Sequence, residues 1–208
     1  MSIPNWLSWA RELQAAAQSG LAYAENPYDR DRYRKLLALA VRMMAEGGQT
    51  DPAVLLDLFG RQAGYATPKV DVRGAVFRGR EVLLVSELID GGRWTLPGGF
   101  ADVNEAPSES VVREVAEEAG FTVKVKKLAA VYDRDRHGHT TPHPFHIYKL
   151  MFLCEETGRC EKSDLETGEP RFFDIDALPE LSMNRTQPWQ IKRLYQHLHN
   201  PDLPTDFD

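Results

Sequence analysis

Hydrophobic and polar positions change rhythm along the chain, and each rhythm predicts an element. In the first sixty-odd residues the apolar positions recur at helical spacing. Trp6, Leu7, Trp9, Ala10, Leu13 and Ala16 form one such stripe, with Gly20 as its expected stop. After a link containing Asn26, Pro27 and Tyr28, a second helix is predicted over 29–46, with Leu36, Leu37, Leu39, Ala40 and Met43 on its apolar side. Asp51-Pro52 reads as a cap and first turn leading into AVLLDLFGRQ. Three short helices bury little alone, so their apolar faces are expected to pack on a second domain or on another subunit.

At Ala66-Thr67-Pro68 the character changes. Strands are predicted over 70–77 and 81–86, joined by a turn at Arg78-Gly79-Arg80, then over 122–133, 145–154 and 171–173. A helix is predicted between the second and third of these strands, over Pro107 to Ala119, and a last helix over 187–199. Strands interleaved with helices imply a mixed sheet covered on its faces, an α/β fold. The domains are therefore expected at 1–66, all helical, and 67–208, α/β.

The chain has 208 residues and 42% hydrophobic content, enough for one ordinary domain and a small second one. Its formal net charge is −6, which argues against a general nucleic-acid surface. No apolar run reaches the roughly 18 residues of a membrane span, and the start of the chain lacks a signal-peptide core. Cys154 and Cys160 are too few for a disulfide framework. A cytoplasmic protein with no membrane association is expected.

The chemistry concentrates at 99–121. Glu114, Glu117 and Glu118 lie three and four residues apart, so a helix puts all three carboxylates on one face. Like charges so placed repel, and they become useful when a divalent cation sits among them. Hard oxygen donors suit Mg²⁺ or Mn²⁺. Gly98 and Gly99 mark a turn before the helix, Pro107 suits its first position, and Gly120 suits the residue past its end. Val111, Val112 and Val115 supply the face that packs on a sheet. An ordinary surface helix would instead use pairs such as Glu109 with Arg113.

These residues resemble the Nudix box, G-x5-E-x7-R-E-U-x-E-E-x-G-U, where U is a bulky apolar residue. Gly99, Glu105, Arg113, Glu114, Glu117, Glu118 and Gly120 match its fixed positions. Phe121 stands where an aliphatic residue is commoner. Trp94-Thr95-Leu96-Pro97-Gly98-Gly99 is similar to the family's approach to the box, and Phe172 to Pro179 to its aromatic-acidic-Leu-Pro element. The first helices resemble the extension of the branch that holds CDP-choline and ADP-ribose pyrophosphatases.

The resemblance implies a Nudix α/β/α sandwich with a mixed sheet, preceded by a small all-helical domain. It implies hydrolysis of a nucleoside diphosphate linked to a group X, giving a nucleoside monophosphate and X-phosphate. Metal ligands are then expected at Gly99, Glu114, Glu117 and Glu118, and catalytic carboxylates at Glu117 and Glu118. The general base is a box glutamate or a carboxylate of the later acidic loop, where Glu166 is favoured and Glu169 is second. Arg73, Phe100 and His146 are expected at the substrate, with Tyr132 and Tyr148 as further ring candidates. Arg113 would fix the loop carrying Glu105. The spacings of His137, His139, His143 and His146 match no zinc pattern, which favours a loop. The expected partner is a nucleotide-derivative small molecule, and the expected assembly a homodimer. RNA-end processing by the same metal site, or a nucleotide-sensing module, are the alternative readings.

Overall fold

A computed structural model describes residues 4–139, 141–163 and 165–208. It divides into two compact units: Met1–Lys69 with Thr141–His146, and Val70–Thr140 with Ile147–Asp208.

The first unit is built on helices α1 (Asn5–Tyr23), α2 (Pro27–Gly48) and α3 (Pro52–Gly60). Asn26 and Asp51 cap α2 and α3: their side chains accept from the N–H groups of Tyr28 and Ala53, each at 2.8 Å. Gly20 does not end α1, which runs on to Tyr23. A Cβ at Gly20 would collide with the Tyr33 ring of α2, so this glycine permits close helix contact instead. Helices α1 and α2 are longer than expected, α3 is shorter, and the three close a core of their own. Ala10, Val41, Met44, Ala45, Leu55 and Phe59 are buried together, with Leu37 and Phe145 packed against them. The apolar face of α2 is thus rotated from the expected one: Leu39 faces solvent, while Val41 and Met44 go inward. Phe145 meets Phe59 edge-to-face, with ring centres 5.7 Å apart.

The second unit holds one seven-stranded mixed sheet in the order β3-β2-β1-β5-β4-β7, with β6 pairing on β2. The strands are β1 (Lys69–Arg78), β2 (Glu81–Glu87), β3 (Arg93–Thr95), β4 (Phe121–Asp133), β5 (Ile147–Arg159), β6 (Arg171–Asp174) and β7 (Asp206–Phe207). The pairs of β2 with β1, β3 and β6, and of β4 with β5, are antiparallel, and β4 with β7 is parallel. Side-chain alternation sorts two cores. Leu83 and Val85 face helix α4 (Pro107–Ala119), where Val111 and Val115 are fully buried. Val82 and Leu84 face helix α5 (Pro188–His199), where Ile191 and Leu194 are buried. Each such valine or leucine contributes about 1.5–3 kcal/mol when fully buried. This is an α/β/α sandwich. Among the described residues no helix is long and apolar enough to cross a membrane.

Candidate active site on helix α4

The site begins at a loop clamped to a strand. Val72 N–H donates to the Gly99 carbonyl at 2.8 Å, Gly74 N–H to the Pro97 carbonyl at 2.9 Å, and Ala101 N–H to the Val70 carbonyl at 3.0 Å. The clamp brings Gly98 so close to β1 that a Cβ would strike the Val72 carbonyl, and its φ is +143°. Only glycine fits there. The freed Gly98 N–H donates to Glu118 Oε2 at 2.8 Å, which joins the loop to the end of α4.

Helix α4 starts with Pro107 at its first position and ends with Gly120 in the left-handed region, as its sequence predicts. Glu109 does not pair with Arg113. It turns back to accept from the Ala106 N–H at 2.8 Å and caps the helix. Arg113 is the hub of the acidic face. Its Nε donates to Glu105 at 2.9 Å, and one Nη to both Glu114 and Glu117 at 3.0 Å. Ser110 adds a bond to Glu105 at 2.7 Å. These bonds hold the Glu105 carboxyl below its ordinary range.

The three box carboxylates sit in different surroundings. Glu117 is the most exposed and Glu114 is largely covered. Burial raises the Glu114 carboxyl. Burial also pushes Glu118 up to about 8, with Glu114 and Glu87 adding to the rise, while Arg73 and the Gly98 N–H oppose it. A partly buried carboxyl held among other carboxylates fits a divalent cation, whose charge would offset both the burial and the repulsion. Among the described residues no three acidic, histidine or cysteine side chains already form a closed cage. The Arg113 guanidinium takes the Glu114 and Glu117 oxygens instead. Gly99 lies beside this face: a Cβ on it would stand 3.1 Å from Glu114 Oε1. Its carbonyl accepts one N–H and has a second lone pair.

The remaining predicted residues scatter. Glu166 is exposed, and its backbone carbonyl accepts from the Leu88 N–H at 3.2 Å. Next to it, the Thr167 hydroxyl donates to the Glu118 carbonyl at 3.3 Å, so this loop reaches the end of α4. Glu169 is exposed. Phe100 faces solvent one residue past Gly99. His146 belongs to the first unit, where its carbonyl accepts from the Lys69 N–H at 2.9 Å. Arg73 is buried and does not present its guanidinium to solvent. It donates to Asp71 at 2.8 Å and to the Leu96 carbonyl at 3.1 Å, which makes it a support for the loop.

A buried charge cluster went unread in the sequence. Asp71 accepts from both Arg73 and Lys149, and all three are at least 94% covered. The two cations hold Asp71 down to about 2 against the opposing effect of burial. Burial pulls Lys149 down to about 8 despite Asp71. Glu87 is buried as well and pairs with Arg185 at 2.9 Å. The signals were present: Asp71 and Arg73 share one face of a strand, and Lys149 is a lone charge in the apolar run FHIYKLMFLC.

The fold and box have known counterparts. Residues 67–197 match the model of the NUDIX domain, and residues 4–59 match a model described as a UDP-X-like, N-terminal oligomerisation domain. The chain belongs to the Nudix family and is a Nudix pyrophosphohydrolase. It is 43% identical to a putative ADP-ribose pyrophosphatase, YjhB, of Bacillus subtilis, over 98% of this chain and 97% of that protein. It is similar to the crystal structure of a UDP-X diphosphatase, at 30% identity and a TM-score of 0.60 over the full length of both chains. An ADP-ribose pyrophosphatase of Streptococcus suis is 33% identical with a TM-score of 0.60, covering 68% of this chain and 100% of its own.

Proposed function

We propose that the protein hydrolyses the pyrophosphate of a nucleoside diphosphate linked to a sugar, of the ADP-ribose or UDP-sugar type, with Mg²⁺ or Mn²⁺ bound at α4. The observation that carries this reading is Glu118: a partly buried carboxyl beside Glu114, tied to the Gly98 N–H, on a helix whose other face is core. That arrangement costs stability and fits cation binding. The relatives named ADP-ribose pyrophosphatase favour a sugar diphosphate over CDP-choline.

Glu114, Glu117 and Glu118 would hold the ion, with the Gly99 carbonyl as a further donor. When bound, the metal neutralises the two phosphates and lowers the pKa of water. A water oxygen forms the new P–O bond, the bridging P–O bond breaks, and the water proton passes to a carboxylate. Glu166 is our choice for that base, supported by the Thr167 bond to Glu118; Glu169 is the second. Side-chain acid–base catalysis supplies about 10²–10⁴-fold. Phe100 is the ring we assign to the base or sugar, on its exposure beside Gly99.

The first unit is proposed to form a homodimer. The described residues Trp9, Val54 and Leu56 leave more than half of their surface exposed, and the matching family model is described as an oligomerisation domain. A cytoplasmic location is proposed on the unpaired Cys154 and Cys160.

The test is product detection with Mg²⁺ or Mn²⁺ on ADP-ribose, UDP-glucose, CDP-choline, nucleoside triphosphates and a short RNA. Strong release of a nucleoside monophosphate from the sugar diphosphates is expected, with none after chelation. A preference for RNA would move the reading to RNA-end processing. Light scattering tests the dimer, and a monomer at micromolar concentration removes it.

A further inference from the structure

Arg185 is held by its backbone and by its side chain. It lies in the turn between β6 and α5, where its N–H donates to the Ser182 carbonyl at 2.8 Å. The Ser182 hydroxyl donates to Asp90 at 2.7 Å. The Thr186 hydroxyl accepts from the Leu96 N–H at 3.2 Å and shares a bond with the Thr95 hydroxyl at 2.8 Å. The turn is thereby fastened to the loop that leads into Gly98 and Gly99. The side chain is anchored too, with Arg185 Nε 2.9 Å from Glu87 Oε1.

Glu87 joins this turn to the box helix. It ends β2 and pairs antiparallel with Thr167, whose hydroxyl donates to the Glu118 carbonyl at 3.3 Å. After burial, the larger cause, Glu87 helps to raise the Glu118 carboxyl. Two routes thus tie Arg185 to Glu118. One runs through Glu87 and Thr167, the other through Thr186, the loop from Leu96, and the Gly98 N–H on Glu118 Oε2.

A carboxylate met through Nε reaches at most Nε and the neighbouring Nη. The other Nη keeps two N–H groups for a different acceptor. The exposures match that division: the Glu87 side chain is 7% exposed and the Arg185 side chain 32%. The two other arginines at the box are committed elsewhere. Arg113 bonds Glu105, Glu114 and Glu117, and Arg73 is enclosed with Asp71 and the Leu96 carbonyl. A buried ion pair is weak support for a fold, because desolvation offsets the attraction. As an anchor Glu87 has a clearer use. It presents a fixed, half-open guanidinium, the planar fork that suits phosphate oxygens.

We propose that the open Nη end of Arg185 binds a phosphate oxygen of the substrate's pyrophosphate, and that Glu87 is the positioning residue that aims it. This rests on the hydrolase reading above and deepens it.

The experiment is calorimetric binding, with Mg²⁺ present, of an ADP-ribose analogue whose bridging oxygen is replaced by a methylene, so that the bridge does not hydrolyse. R185Q is expected to bind it about ten- to a hundredfold more weakly, the worth of hydrogen bonds to a charged group. R185K keeps a charge for Glu87, so its thermal midpoint should match the wild type. An ammonium lacks the fork that serves Glu87 and a phosphate together, so R185K binding should still fall about tenfold. E87Q should weaken binding about threefold or more, and adding it to R185K should cost little further, because Glu87 acts through Arg185. Should R185Q misfold, R185K and E87Q carry the test. Binding by R185K within about twofold of the wild type, losses in E87Q and R185K that simply multiply, or a wild type that does not bind the analogue overturns the proposal. Binding lost as expected, from a wild type that leaves ADP-ribose itself uncleaved under Mg²⁺, would instead defeat the hydrolase reading and leave this one standing.

Discussion

Two charged clusters lie in the second unit, and they are built on opposite principles. On α4, Glu114, Glu117 and Glu118 share one face: Arg113 bonds Glu114 and Glu117, while Glu118, partly buried with its carboxyl raised, accepts from the Gly98 N–H. Under the loop, Asp71 is enclosed by Arg73 and Lys149, and opposite charges meet in pairs. The first cluster carries surplus like charge that the fold does not need. The second is a compensated ion group on which local structure depends. Uncompensated charge marks chemistry, and compensated burial marks architecture.

Four experiments break or sharpen that contrast. The largest effect is expected from E118Q. It should lower kcat/KM by about 10³-fold, the scale of losing one preorganised electrostatic contact in a site. Its thermal midpoint should hold or rise, because a carboxyl whose ionised form the fold disfavours is gone. Near-normal turnover would sink the assignment.

D71A should do the reverse at the level of the whole fold. It strands Arg73 and Lys149 as buried, unpaired cations, at a cost of about 3–5 kcal/mol. Urea unfolding reads this directly, and a loss under about 1 kcal/mol would reduce the cluster to a surface-like pair.

Acid titration separates the groups further. Burial, with Lys149 and Arg134, holds the folded pKa of His139 to about 4, below its ordinary 6.5. Between those values the unfolded chain binds the proton and the folded chain does not, so stability falls as pH drops through that window. Asp71, held at about 2, gives stability present above about 4 and lost as pH falls toward 2. Glu118, raised to about 8, gives a slope of opposite sign over much of this range, so the test is the difference: the stability of the wild type relative to H139Q should fall by about one proton's slope between about pH 6.5 and 4. An unchanged slope in H139Q would remove His139 from the account.

The smallest effect belongs to an exposed pair. Lys126 and Glu155 lie 3.1 Å apart, each more than half exposed. K126A should shift stability by no more than about 0.5 kcal/mol. A larger shift would mean that exposure is a poor guide to which charges matter here.

Local chemistry made the box helix legible. Pro107, Gly120 and the valine spacing fix both ends and the buried face of α4 without help from the rest of the chain. The strands β1, β2, β4, β5 and β6 were also readable from their apolar runs. Strands β3 and β7 were not, because three and two residues carry no periodicity and exist through their partners β2 and β4. Arg73 looked like an open strand charge, since a sequence does not show the Leu96 carbonyl and Asp71 closing over it. The open end of the Arg185 guanidinium was equally invisible: it follows from which side of it Glu87 takes.

The segment Thr141–His146 belongs to the first unit although about seventy residues of the second precede it in the chain. Arg11 donates to the His143 carbonyl at 2.6 Å, and Phe145 completes the core around Phe59. During synthesis the three helices emerge well before those partners do. Chain emerging at roughly 5–20 residues per second leaves them waiting several seconds for their last contacts. The helical unit is first to be made but cannot be first to finish, and ribosome-stalled chains ending before Thr141 should be more open to protease than chains that extend past His146.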